Sequence, residues 1–196
     1  MIISHEHKYV NISIPKTGTI SMRKWLAMCC KGSPVAEQHA WDWRPFVNGG
    51  GYLIFTVVRN PYARCYSLWK WETHTAKEGG LLVDKSCSFE RFLLLLIAKL
   101  PMYFGKETSP DIYMNQSDFV YKSGAAIVLK LENLKEELNQ LPFVGNSAKY
   151  FPFLNSNSNI EEPYSDYYNK ETEALVWEYC QDDFDSFGYE RMTLNG

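Results

Sequence analysis

The fold class is indicated by residues 52–58, Tyr52-Leu53-Ile54-Phe55-Thr56-Val57-Val58, which are nearly all apolar and β-branched or aromatic. A run of this kind is typical of a strand buried on both faces, as the strands of parallel sheets are. Arg59-Asn60-Pro61 interrupts the run, and proline suits the first position of a helix. The pattern therefore predicts a strand, a loop and a helix, with apolar positions at helical spacing: Tyr62, Cys65, Tyr66 and Trp69.

The same order occurs earlier in the chain. Residues 9–14 alternate between apolar and polar side chains and end at Pro15, which predicts a strand. Lys16-Thr17-Gly18-Thr19 is a polar turn, and residues 21–30 then have the spacing of a helix. Two strand–loop–helix units indicate an α/β fold with a central, mainly parallel sheet flanked by helices, whose ligands bind beyond the carboxyl ends of the strands.

A third strand is predicted at 125–131. Helices are predicted at 88–100, 132–141 and 171–182, and irregular segments at 102–117 and 155–159. No clear linker divides the sequence, so we expect a single domain over residues 1–196.

The composition excludes several classes of protein. Apolar residues make up 45% of the 196, which disfavours disorder, and the net charge of -3 disfavours a protein held on nucleic acid by its overall charge. Five scattered cysteines show neither a disulfide framework nor zinc-binding spacing, so we expect no metal and a reducing compartment. Residues 1–9 contain no apolar h-region, so we expect no signal peptide, and the longest apolar run, 92–98, is too short for a membrane span. A cytoplasmic location is therefore predicted.

The loop at Lys16 is a candidate anion site. A strand, a turn with lysine and glycine, and a helix direct several backbone N–H groups and a helix N-terminus at one point, which suits a phosphate or a sulfate. Ser21 is the candidate N-cap of that helix. Lys16 precedes Gly18, whereas a Walker A loop ends in Gly-Lys-Ser/Thr, so a nucleotide kinase or NTPase is the less favoured alternative.

The second loop offers another anion site. Arg59 stands at the strand end and can donate two hydrogen bonds to a phosphate, while Ser67 lies eight residues later on the following helix. Two anion sites at the ends of adjacent parallel strands predict a ligand with two separate anionic groups.

These motifs resemble those of sulfotransferases. Residues 14–21, Ile14-Pro15-Lys16-Thr17-Gly18-Thr19-Ile20-Ser21, are similar to the 5′-phosphosulfate loop of that family, and residues 57–67 to its 3′-phosphate motif. Residues 128–134 resemble a strand and turn in the second half of these enzymes, and residues 164–189 the C-terminal helix of the carbohydrate-type branch. Ile20 departs from the pattern, because many members have Thr or Ser there.

The resemblance implies a P-loop-type three-layer fold and the donor 3′-phosphoadenosine-5′-phosphosulfate (PAPS). It implies that Lys16 contacts the bridging oxygen and balances charge as the sulfuryl group leaves, and that Arg59 and Ser67 bind the 3′-phosphate. The remaining cofactor-binding residues would supply backbone and hydroxyl donors: Thr17, Gly18, Thr19, Ile20 and Ser21. The acceptor would be a hydroxyl of a carbohydrate or of a small molecule.

The acceptor hydroxyl needs a general base. His39 is the first candidate, because it lies between the two loops, where related enzymes often have a histidine; His74 and Glu72 are the alternatives. Arg64 is explained equally well as a cofactor ligand and as an exposed helix arginine. A non-catalytic nucleotide-binding module is a third hypothesis for the whole chain.

Overall fold

In the computed structural model, which describes residues 1–35, 41–75, 83–98, 110–152 and 163–194, the chain is an α/β protein with a mixed sheet of five strands. The strands are β1 (Ile2–Ser4), β2 (Tyr9–Ile12), β3 (Ser33–Pro34), β4 (Leu53–Val58) and β5 (Ile127–Lys130). The α-helices are α1 (Thr19–Cys29), α2 (Pro61–Lys70), α3 (Phe89–Ile97), α4 (Gln116–Ser123), α5 (Leu134–Glu137), α6 (Lys170–Tyr179) and α7 (Gln181–Phe187).

The sheet has the strand order β3-β1-β2-β4-β5. β2, β4 and β5 are parallel neighbours, with Ile12 opposite Thr56 and Val58 opposite Lys130. β1 is antiparallel to β2 and to β3, so the sheet is mixed rather than mainly parallel as predicted. The difference arises because Ile2–Ser4 folds back on β2 through a tight turn in which Lys8 has a φ of 49°.

The chain divides into two compact units. The first comprises Met1–Arg59 and Gln116–Asn159, and the second comprises Asn60–Asn115 and Ile160–Gly196. The sheet, α1, α4 and α5 belong to the first unit, while α2, α3, α6 and α7 belong to the second. The expectation that one domain spans residues 1–196 stays a prediction.

The core of the first unit lies between the sheet and the helix α1. Trp25 is 1% exposed there, and its indole Nε1–H donates a 2.9 Å hydrogen bond to the Ser147 carbonyl. Phe143 stacks on Tyr9 with ring centroids 4.1 Å apart. The buried apolar cluster also contains Phe55, Leu129, Leu134, Leu138 and Phe151. This packing fixes the strands whose carboxyl ends carry Lys16 and Arg59.

The second unit has its own core, formed by apolar faces of its helices. The buried members include Tyr62, Leu68, Phe92, Val176 and Phe184. Within it, the Glu173 carboxylate accepts a hydrogen bond from the Tyr62 hydroxyl and two from the Arg191 guanidinium, at 3.0 and 2.8 Å. The bonds from Arg191 lower the pKa of Glu173.

Several predicted boundaries are corrected by tertiary structure. The predicted helix at 132–141 is a succession of short 3-10 and α turns, and the predicted final helix is divided at Cys180 into α6 and α7. No helix was predicted at α4, which begins inside the segment expected to be irregular. The polar loop predicted at 155–159 lies outside the described residues.

No helix in the described part of the chain is both long and apolar enough to cross a membrane. The cytoplasmic location stays a prediction.

Candidate anion-binding site

The loop between β2 and α1 forms a tight cradle. Lys16 and Gly18 both have left-handed backbone conformations, with φ of 70° and 77°. Thr17 is 2% exposed, and its hydroxyl donates a 2.9 Å hydrogen bond to the Ile14 carbonyl. The amide of Met22 donates to the Gly18 carbonyl at 3.1 Å, which closes the first turn of α1. These contacts hold the polypeptide in a curve ahead of the helix N-terminus.

The glycine in this cradle is favoured by its backbone conformation, and a side chain there would displace Leu131. A left-handed φ favours glycine, and a Cβ built on Gly18 would lie 2.8 Å from Cδ1 of Leu131. Gly18 is also the N-cap of α1 and has no side chain with which to cap it. The N–H groups of the first helical turn are therefore the natural donors to a bound anion.

The side chains of the first turn of α1 divide between solvent and core. Ile20 is 57% exposed, so only its backbone is suited to the predicted anion contact. Ser21 is 3% exposed and is the third residue of the helix, because α1 begins at Thr19. The interpretation of Ser21 as the helix N-cap is therefore wrong.

Arg59 approaches this loop from the neighbouring strand. It follows the last residue of β4, and its guanidinium Nη1 donates a 3.4 Å hydrogen bond to the Lys16 carbonyl. Because β2 and β4 are parallel neighbours, their carboxyl ends lie at the same edge of the sheet. The structure thus places the Arg59 guanidinium against the Lys16 backbone at the ends of two adjacent parallel strands, while anion binding by these residues stays a prediction.

The electrostatic environment of Lys16 reflects this pairing. Burial of the ammonium, and secondarily the Arg59 charge, lower the pKa of Lys16 to about 8. Both effects disfavour the charged lysine in the ligand-free protein, and an anion bound beside the ammonium would offset them. With this pKa the lysine is still largely protonated at neutral pH, so the arrangement can bind a phosphate or sulfate group.

Comparisons were made with protein-family models, with curated proteins and with solved structures. None returned a match. A function for this chain is therefore argued from its own residues, and the resemblance to sulfotransferases stays a prediction.

The other predicted cofactor ligand, Ser67, lies on α2 in the second unit and is half-buried. The helix that carries it begins as predicted, with Pro61 as its first residue. The side chain of Asn60 caps it by accepting hydrogen bonds from the amides of Tyr62 and Ala63.

The three candidate general bases lie in different surroundings or outside the described residues. His39 lies outside the described residues. Glu72 is 0% exposed in a π-helical turn after α2, and its carboxylate accepts a hydrogen bond from the Tyr113 hydroxyl. In the ligand-free structure the Glu72 carboxylate is thus buried against Tyr113, and its role as a base stays an alternative prediction.

His74, in contrast, is exposed and held in one orientation. The Thr73 hydroxyl donates its hydrogen to the Trp69 carbonyl at 2.8 Å, and His74 Nδ1 lies 2.6 Å from the same oxygen. The hydroxyl has a single hydrogen, so Nδ1–H must donate to it, and Nε2 of the neutral ring is then the proton acceptor. His74 therefore keeps the chemical capacity of a base.

The environments of Arg64 and Gln116 differ from what the sequence suggests. Arg64 is 2% exposed and donates to the Met114 carbonyl at 2.9 Å, so the interpretation as an exposed helix arginine is wrong. Gln116, which sequence reasoning missed, is 0% exposed and contacts the backbone of Arg59. No sequence signal indicated Gln116, because it lies in a polar segment without periodicity.

Proposed function

We propose that this chain is a sulfotransferase, which moves a sulfuryl group from PAPS to an acceptor hydroxyl of a carbohydrate or a small molecule. The observation that supports the proposal is the pairing of Lys16 and Arg59 at the ends of two adjacent parallel strands, beside the N-terminus of α1. The mixed α/β sheet is compatible with a P-loop-type three-layer fold, which is part of the proposal.

The residues present fit such a donor. The backbone of Lys16 to Ser21 and the Lys16 ammonium would hold the phosphosulfate, in a cradle whose left-handed φ at Gly18 favours glycine. Arg59 would bind the 3′-phosphate. PAPS supplies an activated sulfuryl group on a phosphate that leaves with the nucleotide.

Lys16 has the main electrostatic role in the proposed transfer. The Lys16 ammonium would stabilise the negative charge that develops on a leaving phosphate, and this would favour the transition state more than the ground state. Its low pKa does not remove this role at neutral pH, and bound anionic groups raise that pKa again.

His39 is the proposed base that takes the proton from the acceptor hydroxyl. A panel of saccharides and small alcohols is incubated with PAPS, and transfer is detected by mass spectrometry. For an accepted substrate, we expect His39→Ala to lower kcat by about 10²- to 10⁴-fold while nucleotide affinity is retained.

His74→Ala tests the competing candidate base, because that histidine is exposed and oriented by Thr73. The assignment of the base is wrong if His39→Ala keeps wild-type turnover, and loss of turnover in His74→Ala would reassign it. A chain that binds the nucleotide but transfers nothing to any acceptor would be a non-catalytic module. Tighter binding of ATP than of PAPS would favour the kinase or NTPase alternative.

A further inference from the structure

The side chain of Gln116 forms two hydrogen bonds with the backbone of Arg59. Its Oε1 accepts from the Arg59 amide at 2.8 Å, and its Nε2 donates to the Arg59 carbonyl at 2.8 Å. Gln116 is the first residue of α4 and is 0% exposed. Only one orientation of the side-chain amide satisfies both bonds, so the contact fixes the peptide groups on both sides of Arg59.

This contact supplies hydrogen-bond partners to the backbone just beyond the end of β4. The pairing of β4 with β5 ends at Val58 opposite Lys130, so Arg59 is the first residue beyond the ladder. Backbone polar groups at such a position need other partners, and a primary amide offers a donor and an acceptor much as a neighbouring strand would. Gln116 therefore holds Arg59 in register with the strand that precedes it.

The helix that carries Gln116 is itself anchored at its other positions. Phe119 is 0% exposed, and the indole Nε1–H of Trp43 donates a 2.9 Å hydrogen bond to the carbonyl of Ser123, the last residue of α4. The contact with Arg59 is thus made from a fixed element, which is what precise placement of a neighbouring side chain requires.

We propose that Gln116 is the positioning residue of the anion site, which fixes the backbone of Arg59 so that its guanidinium lies beside Lys16. The nucleotide role of that guanidinium rests on the proposed function. Fixing the Cα and both adjoining peptide groups of Arg59 sets the direction in which its side chain leaves the backbone and removes backbone freedom that would otherwise be lost on binding.

The test is calorimetric titration of 3′-phosphoadenosine-5′-phosphate (PAP) into four proteins: wild type, Gln116→Ala, Arg59→Ala and the double variant. We expect Gln116→Ala to weaken binding about tenfold in the wild-type background. In the Arg59→Ala background the same substitution should change affinity less than about twofold, because its effect acts through Arg59. An equal loss in both backgrounds would overturn the proposal.

Phe119→Leu is the control for general loosening of α4. It removes buried volume from the same helix and should lower the melting temperature while PAP affinity is unchanged. If Phe119→Leu weakens PAP binding as much as Gln116→Ala does, the effect belongs to stability of the helix, and the positioning role is wrong.

A measurement made without nucleotide tests the positioning role of Gln116 independently of the proposed sulfotransferase function. The ammonium of Lys16 is titrated by NMR in each variant, since Arg59 contributes to the low pKa of Lys16. We expect Arg59→Ala and Gln116→Ala both to raise that pKa. A rise in Arg59→Ala alone would refute the positioning role, whereas a rise in both together with no PAP binding by wild type would refute only the proposed function.

Discussion

Lys16 combines two features that are costly in a folded protein. Its left-handed φ of 70° is unfavourable for a residue with a Cβ, by about 1–2 kcal/mol, and its ammonium is largely removed from water beside a second cation. Such features persist where surrounding contacts fix them, and they concentrate at functional sites. The contacts here are the Thr17 hydroxyl on the Ile14 carbonyl and the Arg59 guanidinium on the Lys16 carbonyl.

The pKa of Lys16 predicts how nucleotide binding depends on pH. Folding lowers this pKa from 10.5 to about 8, so the ligand-free folded chain loses the lysine proton at a lower pH than the unfolded chain does. The unfolded chain binds more protons between these values, and the contribution of Lys16 to stability rises as pH rises through this window. PAP affinity should do the opposite and fall by up to about tenfold per pH unit above 8.

Calorimetry of PAP binding between neutral pH and about pH 9.5 measures this effect. Lys16→Arg is the matched variant, because a guanidinium stays charged throughout and should remove the loss above pH 8. Affinity of the wild type that is constant across this range would contradict the role of the Lys16 ammonium.

The β2–α1 loop is the element on which the proposed donor site depends most. Gly18→Ala adds a Cβ at a φ of 77°, where it would also lie 2.8 Å from Leu131. We expect a loss of about 1–3 kcal/mol in the free energy of unfolding and at least tenfold weaker PAP binding, because the strained φ and the displaced Leu131 side chain would alter the loop. Chemical denaturation and calorimetry measure the two effects.

Gly124→Ala is the control for the conformational part of that loss. Gly124 has a φ of 68°, and a Cβ there would meet nothing within 4 Å. Gly124→Ala should lower the free energy of unfolding by about 1 kcal/mol and leave PAP affinity unchanged. Equal PAP affinities for the two alanine variants would show that the shape of the Gly18 loop does not matter for binding.

At the level of elements, sequence patterns predicted what depends on local periodicity. β2, β4, β5 and the starts of α1 and α2 follow from apolar spacing and from Pro61, and all five are present within a few residues of their predicted positions. β1 and α4 were missed for a common reason. Each is short and is defined by its tertiary neighbours, β1 by pairing with β2 and α4 by the burial of Phe119.

In the candidate site, too, local sequence patterns predicted some residues, whereas others depend on tertiary contacts. Strand ends and a lysine–glycine turn indicated Lys16 and Arg59 in advance, because parallel strands bring their carboxyl ends to one edge. Gln116 could not be found in this way, since it contacts a residue that is 57 positions away in the sequence. The true start of α1, which makes Ser21 a buried helical residue instead of a cap, also depends on the turn at Gly18.

For the whole molecule, the net charge of -3 is a poor guide to ligands. The slightly acidic average conceals two cations placed together at a sheet edge, where a helix N-terminus adds to their field. The average still disfavours a strongly polyanionic acceptor held across a broad basic surface. The proposed acceptor is therefore a carbohydrate or a small molecule of low charge.

The most direct test of the account is calorimetric titration of PAP into wild type, Arg59→Ala and Arg44→Ala. Arg44 is exposed and pairs with Asp42, so its variant matches the change in net charge without touching the site. We predict that wild type binds PAP at one site, that Arg59→Ala binds it about 10- to 100-fold more weakly, and that Arg44→Ala binds as wild type does. The account is contradicted if wild type does not bind PAP, or if Arg59→Ala binds it with unchanged affinity.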